Sequence, residues 1–141
     1  MTHTRSIILG VATALGLGGV ANGTFMLLDP VNWYFAVPGV TSTGSFNQHF
    51  VRDIGLIFVL VGAALLIGVL RRPVRTALWT TAALWLAGHA MFHMWEVAVG
   101  ICGPAAIARD FPAVTLPAIL TAALAGWASF DAGANGRRVI A

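Results

Sequence analysis

Residues 79–100, WTTAALWLAGHAMFHMWEVAVG, decide how the chain is read. The stretch is apolar enough to cross a membrane, yet its second half carries His89, His93 and Glu96. At i, i+4 and i+7 these three share one stripe of an α-helix, because seven residues bring the helix almost back to its starting angle. Ionisable groups at membrane depth are costly, so a cluster of them points to function and requires partners elsewhere in the chain.

The composition agrees with a membrane setting. Of 141 residues 58% are hydrophobic and 9% charged, and the mean hydropathy is +0.85. Soluble domains carry about 25% charged residues. The acids are Asp29, Asp53, Glu96, Asp110 and Asp131, and all 8 basic residues are arginines. These arginines form no stripe among aromatics, which argues against a nucleic-acid partner. They lie between apolar segments, where the positive-inside rule accounts for them. A single cysteine, Cys102, excludes an intramolecular disulfide and leaves the redox compartment open.

Four apolar stretches are long enough for the roughly 30 Å hydrocarbon core, which takes about 20 helical residues. They cover about 6–28, 49–70, 76–99 and 113–130, within one transmembrane domain over residues 1–141. In the first, Arg5, the run Ile7 to Leu17 and the small pair Gly19 and Ala21 also fit a secretory signal; it is read here as a transmembrane helix. Its glycines let neighbouring backbones approach closely. Residues 29–48, DPVNWYFAVPGVTSTGSFNQ, read as a loop, with Trp33, Tyr34 and Phe35 placed like an interfacial belt. A loop of about 20 residues in so small a protein tends to be functional or to fold over a site. Pro73 ends the second helix at RRPVR, residues 105–112 read as a short surface piece, and residues 131–141 as a polar, flexible tail.

Arg5, Arg71, Arg72, Arg75, Arg137 and Arg138 fall on one side of this layout, and Arg52 and Arg109 on the other. That bias puts both termini in the cytoplasm. The expected fold is all-α: an up-and-down four-helix bundle, N-in and C-in, crossing a bacterial inner membrane several times.

Topology then places the polar residues by depth. His49 sits at the outer surface and Asp53 about 6 Å further in; on the third helix Glu96 is about 6 Å deep, His93 about 10 Å and His89 about 16 Å. Asn22 lies in the same outer half, and the inner half is almost all Ala, Val, Leu and Ile. Three readings compete. His49, Asp53, His89, His93 and Glu96 form a transition-metal site for iron, copper or zinc, since imidazole and carboxylate suit those ions and helical bundles build such sites from inward-facing side chains. Alternatively His49 and His93 are the axial pair of a haem b. In the third reading the histidines and acids satisfy one another, holding the bundle together, binding a polar lipid or quinone head group, or relaying protons. Arg52 and Asn22 are candidate contacts for a substrate or anion.

The stretches PVNWYFAVPGV, TGSFNQHFVRDIG and GHAMFHMWE together resemble short uncharacterised bacterial four-helix integral membrane proteins. The likeness covers most of the chain and implies no activity. Proteins of the DoxX type, linked to quinone chemistry, look similar in size and layout only.

The expectation is therefore an inner-membrane protein with a periplasmic-side metal site, redox-active on a membrane-soluble substrate. A haem b or quinone-linked protein is the first alternative. A non-enzymatic accessory subunit with a structural polar cluster is the second. Expected partners are the bilayer, a membrane-soluble small molecule or quinone, and further copies or a larger membrane complex.

Overall fold

The computed structural model describes the backbone of residues 2–140 and the side chains of residues 3–133, and all its regular elements are helical. They are α1 (Thr2–Leu28), α2 (Pro30–Ala36), α3 (Gln48–Leu70), α4 (Arg72–Ala98), α5 (Ala105–Asp110) and α6 (Leu116–Ile140). A 3-10 turn occupies Val40–Ser42 and a π turn Phe111–Thr115. The protein is all-α.

Three of its helices are long and apolar enough to cross a membrane by length and composition: His3–Leu28, Gln48–Leu70 and Ala105–Gly133. The fourth expected crossing, residues 76–99, is not among these three. Residues 79–98 of the stretch quoted at the outset belong to α4, whose tryptophans, threonines and histidines, with Glu96, dilute its leucines and alanines.

Two local signals went against the sequence reading. Residues 105–112 do not form a separate surface piece, because α5, the π turn and α6 join into one apolar helix. Pro112 and Pro117 lack an N–H and crowd the preceding turn, and the helix widens around them: the Leu116 N–H reaches back to Phe111 O. In the loop 29–48, Asp29 caps a helical turn, accepting from Asn32 N at 3.3 Å and Asn32 Nδ2 at 2.7 Å, with Pro30 at the first helical position. At the other end α6 carries on through Asp131 to Gly133, past the helix end expected at 130. The remainder of the expected tail, with Arg137 and Arg138, lies outside the described side chains.

Packing runs α1 on α3, α3 on α4 and α4 on α6, while α1 and α6 barely touch. Each packed pair is antiparallel. Gly23 lies against Gly55 as Gly16 lies against Gly62. Trp79 Nε1 donates to Leu65 O at 3.1 Å, and further along Phe58 meets Trp85 edge-on at 5.1 Å. Trp79 then meets Trp127 as His93 meets Asp110. Between α1 and α3 the glycines bring two backbones into contact, the arrangement that drives helix association where no hydrophobic effect operates.

Trp79 is fully buried at the centre of the core, among Leu65, Ala82, Leu86, Leu124 and Ala128. One turn before it, Arg75 is buried as well. Its Nε donates to Gly68 O at 2.7 Å and its NH2 to Val69 O at 3.1 Å, satisfying carbonyls that the end of α3 leaves without helical partners. The guanidinium also lies 5.3 Å from the Trp79 ring centroid and 5.7 Å from that of Trp127. Leu28, Leu60, Leu70, Leu84, Met91 and Phe130 are exposed. So much bare apolar side chain on long helices matches a lipid surround, not water.

Candidate functional site

The residues singled out by depth separate into independent groups. His49 Nε2 lies 3.2 Å from Asp53 Oδ2 on the exposed first turns of α3. Next to them, Arg52 donates from Nε to Leu27 O at 3.0 Å, closing the end of α1. Asn22 accepts from Trp33 Nε1 at 2.9 Å through Oδ1, and its Nδ2 meets Met26 Sδ at 3.6 Å. This pins α2 against α1.

On α4, His89 stacks on Trp85, with ring centroids 5.2 Å apart and planes 10° apart. Its other neighbours are the edges of Phe58 and His93, at 6.0 and 4.7 Å between centroids. His93 reaches α5: its Nδ1 lies 3.1 Å from Asp110 Oδ2. Asp110 is buried and is gripped from the other side by Arg109, through Nε at 2.6 Å and NH2 at 3.1 Å. A carboxylate held by a guanidinium fork acts only as an acceptor, so the His93 Nδ1 carries the proton that it shares with Asp110. Glu96 is buried one turn further along α4, and among the described residues no hydrogen bond or ion pair reaches its carboxylate.

The loop completes this end. Gly39, at φ +89°, packs directly on the Arg109 guanidinium, where a side chain would collide with it. A positive φ and a planar group beneath it both favour glycine. Tyr34 fastens the loop to itself, donating to Gly44 O at 2.6 Å and meeting Phe46 edge-on at 5.4 Å. Cys102 is buried in the adjoining turn, its N–H donating to Glu96 O at 3.2 Å.

This arrangement overturns the expected metal centre. Among the described residues, no group of three or more His, Cys, Asp or Glu side chains is placed to hold a metal ion. The five proposed ligands lie toward one end of α3 and α4 but do not converge: His49 pairs with Asp53, His93 with Asp110, and His89 with an indole. The haem b reading falls with it, since its axial pair, His49 and His93, is engaged in separate places. So does the oxidoreductase reading, which rested on a bound metal. Excess EDTA is expected to leave the melting temperature unchanged; a drop that zinc, copper or iron reverses would restore a metal site.

Asp110 and Arg109 were missed because Pro112 made residues 105–112 look like a surface piece. Taken as part of an apolar helix, the same Arg-Asp pair is an intramembrane ion pair in need of a partner. Compared with known proteins, the chain matches no family model, no curated protein and no solved structure, so the likeness to DoxX-type proteins has no support beyond size and layout.

Proposed function

We propose that the protein is a non-enzymatic multi-pass membrane protein, an accessory or scaffolding subunit, whose outer polar residues fasten its own helices and loop together. One observation carries this reading. Arg52, Asn22, His49, Asp53, His93, Arg109 and Asp110 each engage another group of the same chain. The fastened pieces are the end of α1, helix α2, the start of α3 and the junction of α4 with α5.

The proposed topology is an up-and-down bundle of four passes with both termini in the cytoplasm of a bacterial cell. α4 packs antiparallel along α3 and α6, both of membrane length. A helix of 27 residues held along two crossing neighbours has the reach to cross with them, about 40 Å at 1.5 Å per residue. The arginine bias sets the orientation. Reporters fused near Gly39 and Gly103 are expected to be active in the periplasm, and those at either terminus in the cytoplasm.

Fastening residues and active-site residues respond oppositely to truncation. Removing a fastener lowers stability, whereas removing a strained functional group often raises it. Asn22→Ala, Arg52→Ala and His93→Ala are each expected to lower the melting temperature of the purified protein. A variant that melts higher than the native chain would mark that residue as part of a functional site and defeat the scaffolding reading.

A further inference from the structure

At the opposite end from the polar fasteners, four arginines gather with one acid. Arg71 and Arg72 occupy the turn between α3 and α4, Arg75 lies in the first turns of α4, and Arg5 in those of α1. Arg5, Arg72 and Asp131 are all close enough to Arg75 to act on its charge. Asp131 pairs with Arg72 NH2 at 3.0 Å, so the described side chains leave this end strongly positive. The start of α4 has no side-chain cap, so the positive end of its dipole adds to the field. One donor stands out within this group. Arg75 is 3% exposed, its Nε and NH2 hold the carbonyls of α3, and NH1 is buried with no hydrogen-bond partner. A buried donor in that state costs stability until an acceptor reaches it.

Directly beneath lies an apolar groove between α1 and α6, the one pair of neighbouring long helices that barely meets. Ile7, Val11, Leu120, Leu124 and Trp127 line it. Trp127 belongs to both features, since its ring forms part of the groove and also lies under the Arg75 guanidinium. From Trp127 to Leu120 the groove extends about 10 Å along α6, the length of a good part of an acyl chain.

We propose that this end of the protein binds an anionic phospholipid. The phosphate lies among Arg5, Arg72 and Arg75, and one acyl chain lies in the groove between α1 and α6. The two halves of the site match the two halves of such a molecule, and the groove distinguishes it from a free anion. Basic pockets between helices at the cytoplasmic surface recognise lipid head groups by this chemistry. The proposal needs the helices to lie in a bilayer, but not the scaffolding role or the topology above.

The test uses the full chain in detergent, with added phosphatidylglycerol, phosphatidylcholine or inorganic phosphate, read by native mass spectrometry and thermal shift. Phosphatidylglycerol is expected to remain bound and raise the melting temperature, with phosphatidylcholine much weaker and inorganic phosphate without effect. Arg5→Gln and Arg72→Gln are expected to weaken phosphatidylglycerol roughly fivefold each. Arg75→Gln also loosens α3, so the independent variant is Ala123→Phe, at a residue of the groove wall on α6; it fills the groove, leaves the arginines alone and is expected to displace the lipid. Equal binding of the two lipids, or full binding by Arg5→Gln/Arg72→Gln, overturns the proposal. A shift produced by inorganic phosphate alone, or one that survives Ala123→Phe, reduces the site to an anion site and overturns the lipid.

Discussion

Gly62→Val is expected to melt about 10 °C below the native protein, with much of the chain lost as aggregate during purification. A Cβ on Gly62 would stand 2.6 Å from Gly16 O and 2.7 Å from Val20 N. Both are backbone atoms of α1, so no side chain can swing aside, and the helices must separate. Overpacking costs about 1–3 kcal/mol where side chains can shift; against a fixed backbone the upper end applies, out of a total stability of about 5–15 kcal/mol. Gly23→Val belongs to the same class, with Gly55 O at 2.5 Å and Val59 N at 2.8 Å. Gly10 and Gly18 lie on the same helix with nothing within 4 Å of a Cβ. Alanine there is expected to stabilise by about 0.5–1 kcal/mol, because glycine has more chain entropy to lose on entering a helix. Circular dichroism melts of the four variants in one detergent measure the contrast. If Gly62→Val and Gly18→Ala melt together, α1 and α3 do not approach this closely.

The contrast also shows how far the sequence could be read. Gly10, Gly16, Gly18 and Gly19 all mark α1 as a helix that permits close approach, but which of them uses it depends on the face turned to α3. That face is set by Gly55 and Gly62, whose register against α1 is a tertiary fact. The same limit undid the site. Residue spacing puts His89, His93 and Glu96 on one helix, where all three lie, and rise per residue orders them along it. Neither gives direction about the bundle axis. His49 and Asp53 sit on an exposed turn and meet each other, while His93 faces α5. Arg75 was visible only as one more positive charge at the inner end, although its side chain threads between Trp79 and the last carbonyls of α3. Pro112 and the Asp29-Pro30 pair were read by composition as chain breaks. One sits in a widened helix and the other opens a helix.

Asp110→Ala is expected to release the outer end of the molecule. The substitution removes two hydrogen bonds from Arg109 and one from His93 in a single step. Bonds to charged groups contribute about 1.5–3 kcal/mol each when both partners are buried. The Arg109 side chain is 35% exposed, so it can turn toward solvent or headgroups and recover part of its share, which screening has already reduced. His93, at 24% exposure and on a shorter side chain, recovers less. A net loss of about 2 kcal/mol follows, or a melting point lower by roughly 5–8 °C. Asp110→Asn keeps one acceptor and the same shape, and is expected to fall between the two. Because Arg109 also supports Gly39, the loss should travel into the loop and the adjoining turn. Cys102, buried at 7% exposure, reports on it: the native protein should resist a maleimide, and Asp110→Ala should label readily under the same conditions. Combining His93→Ala with Asp110→Ala closes a double-mutant cycle, and the coupling is expected at about 1 kcal/mol or more. A coupling near zero, with Cys102 still protected in Asp110→Ala, would show that the three side chains meet without holding anything in place.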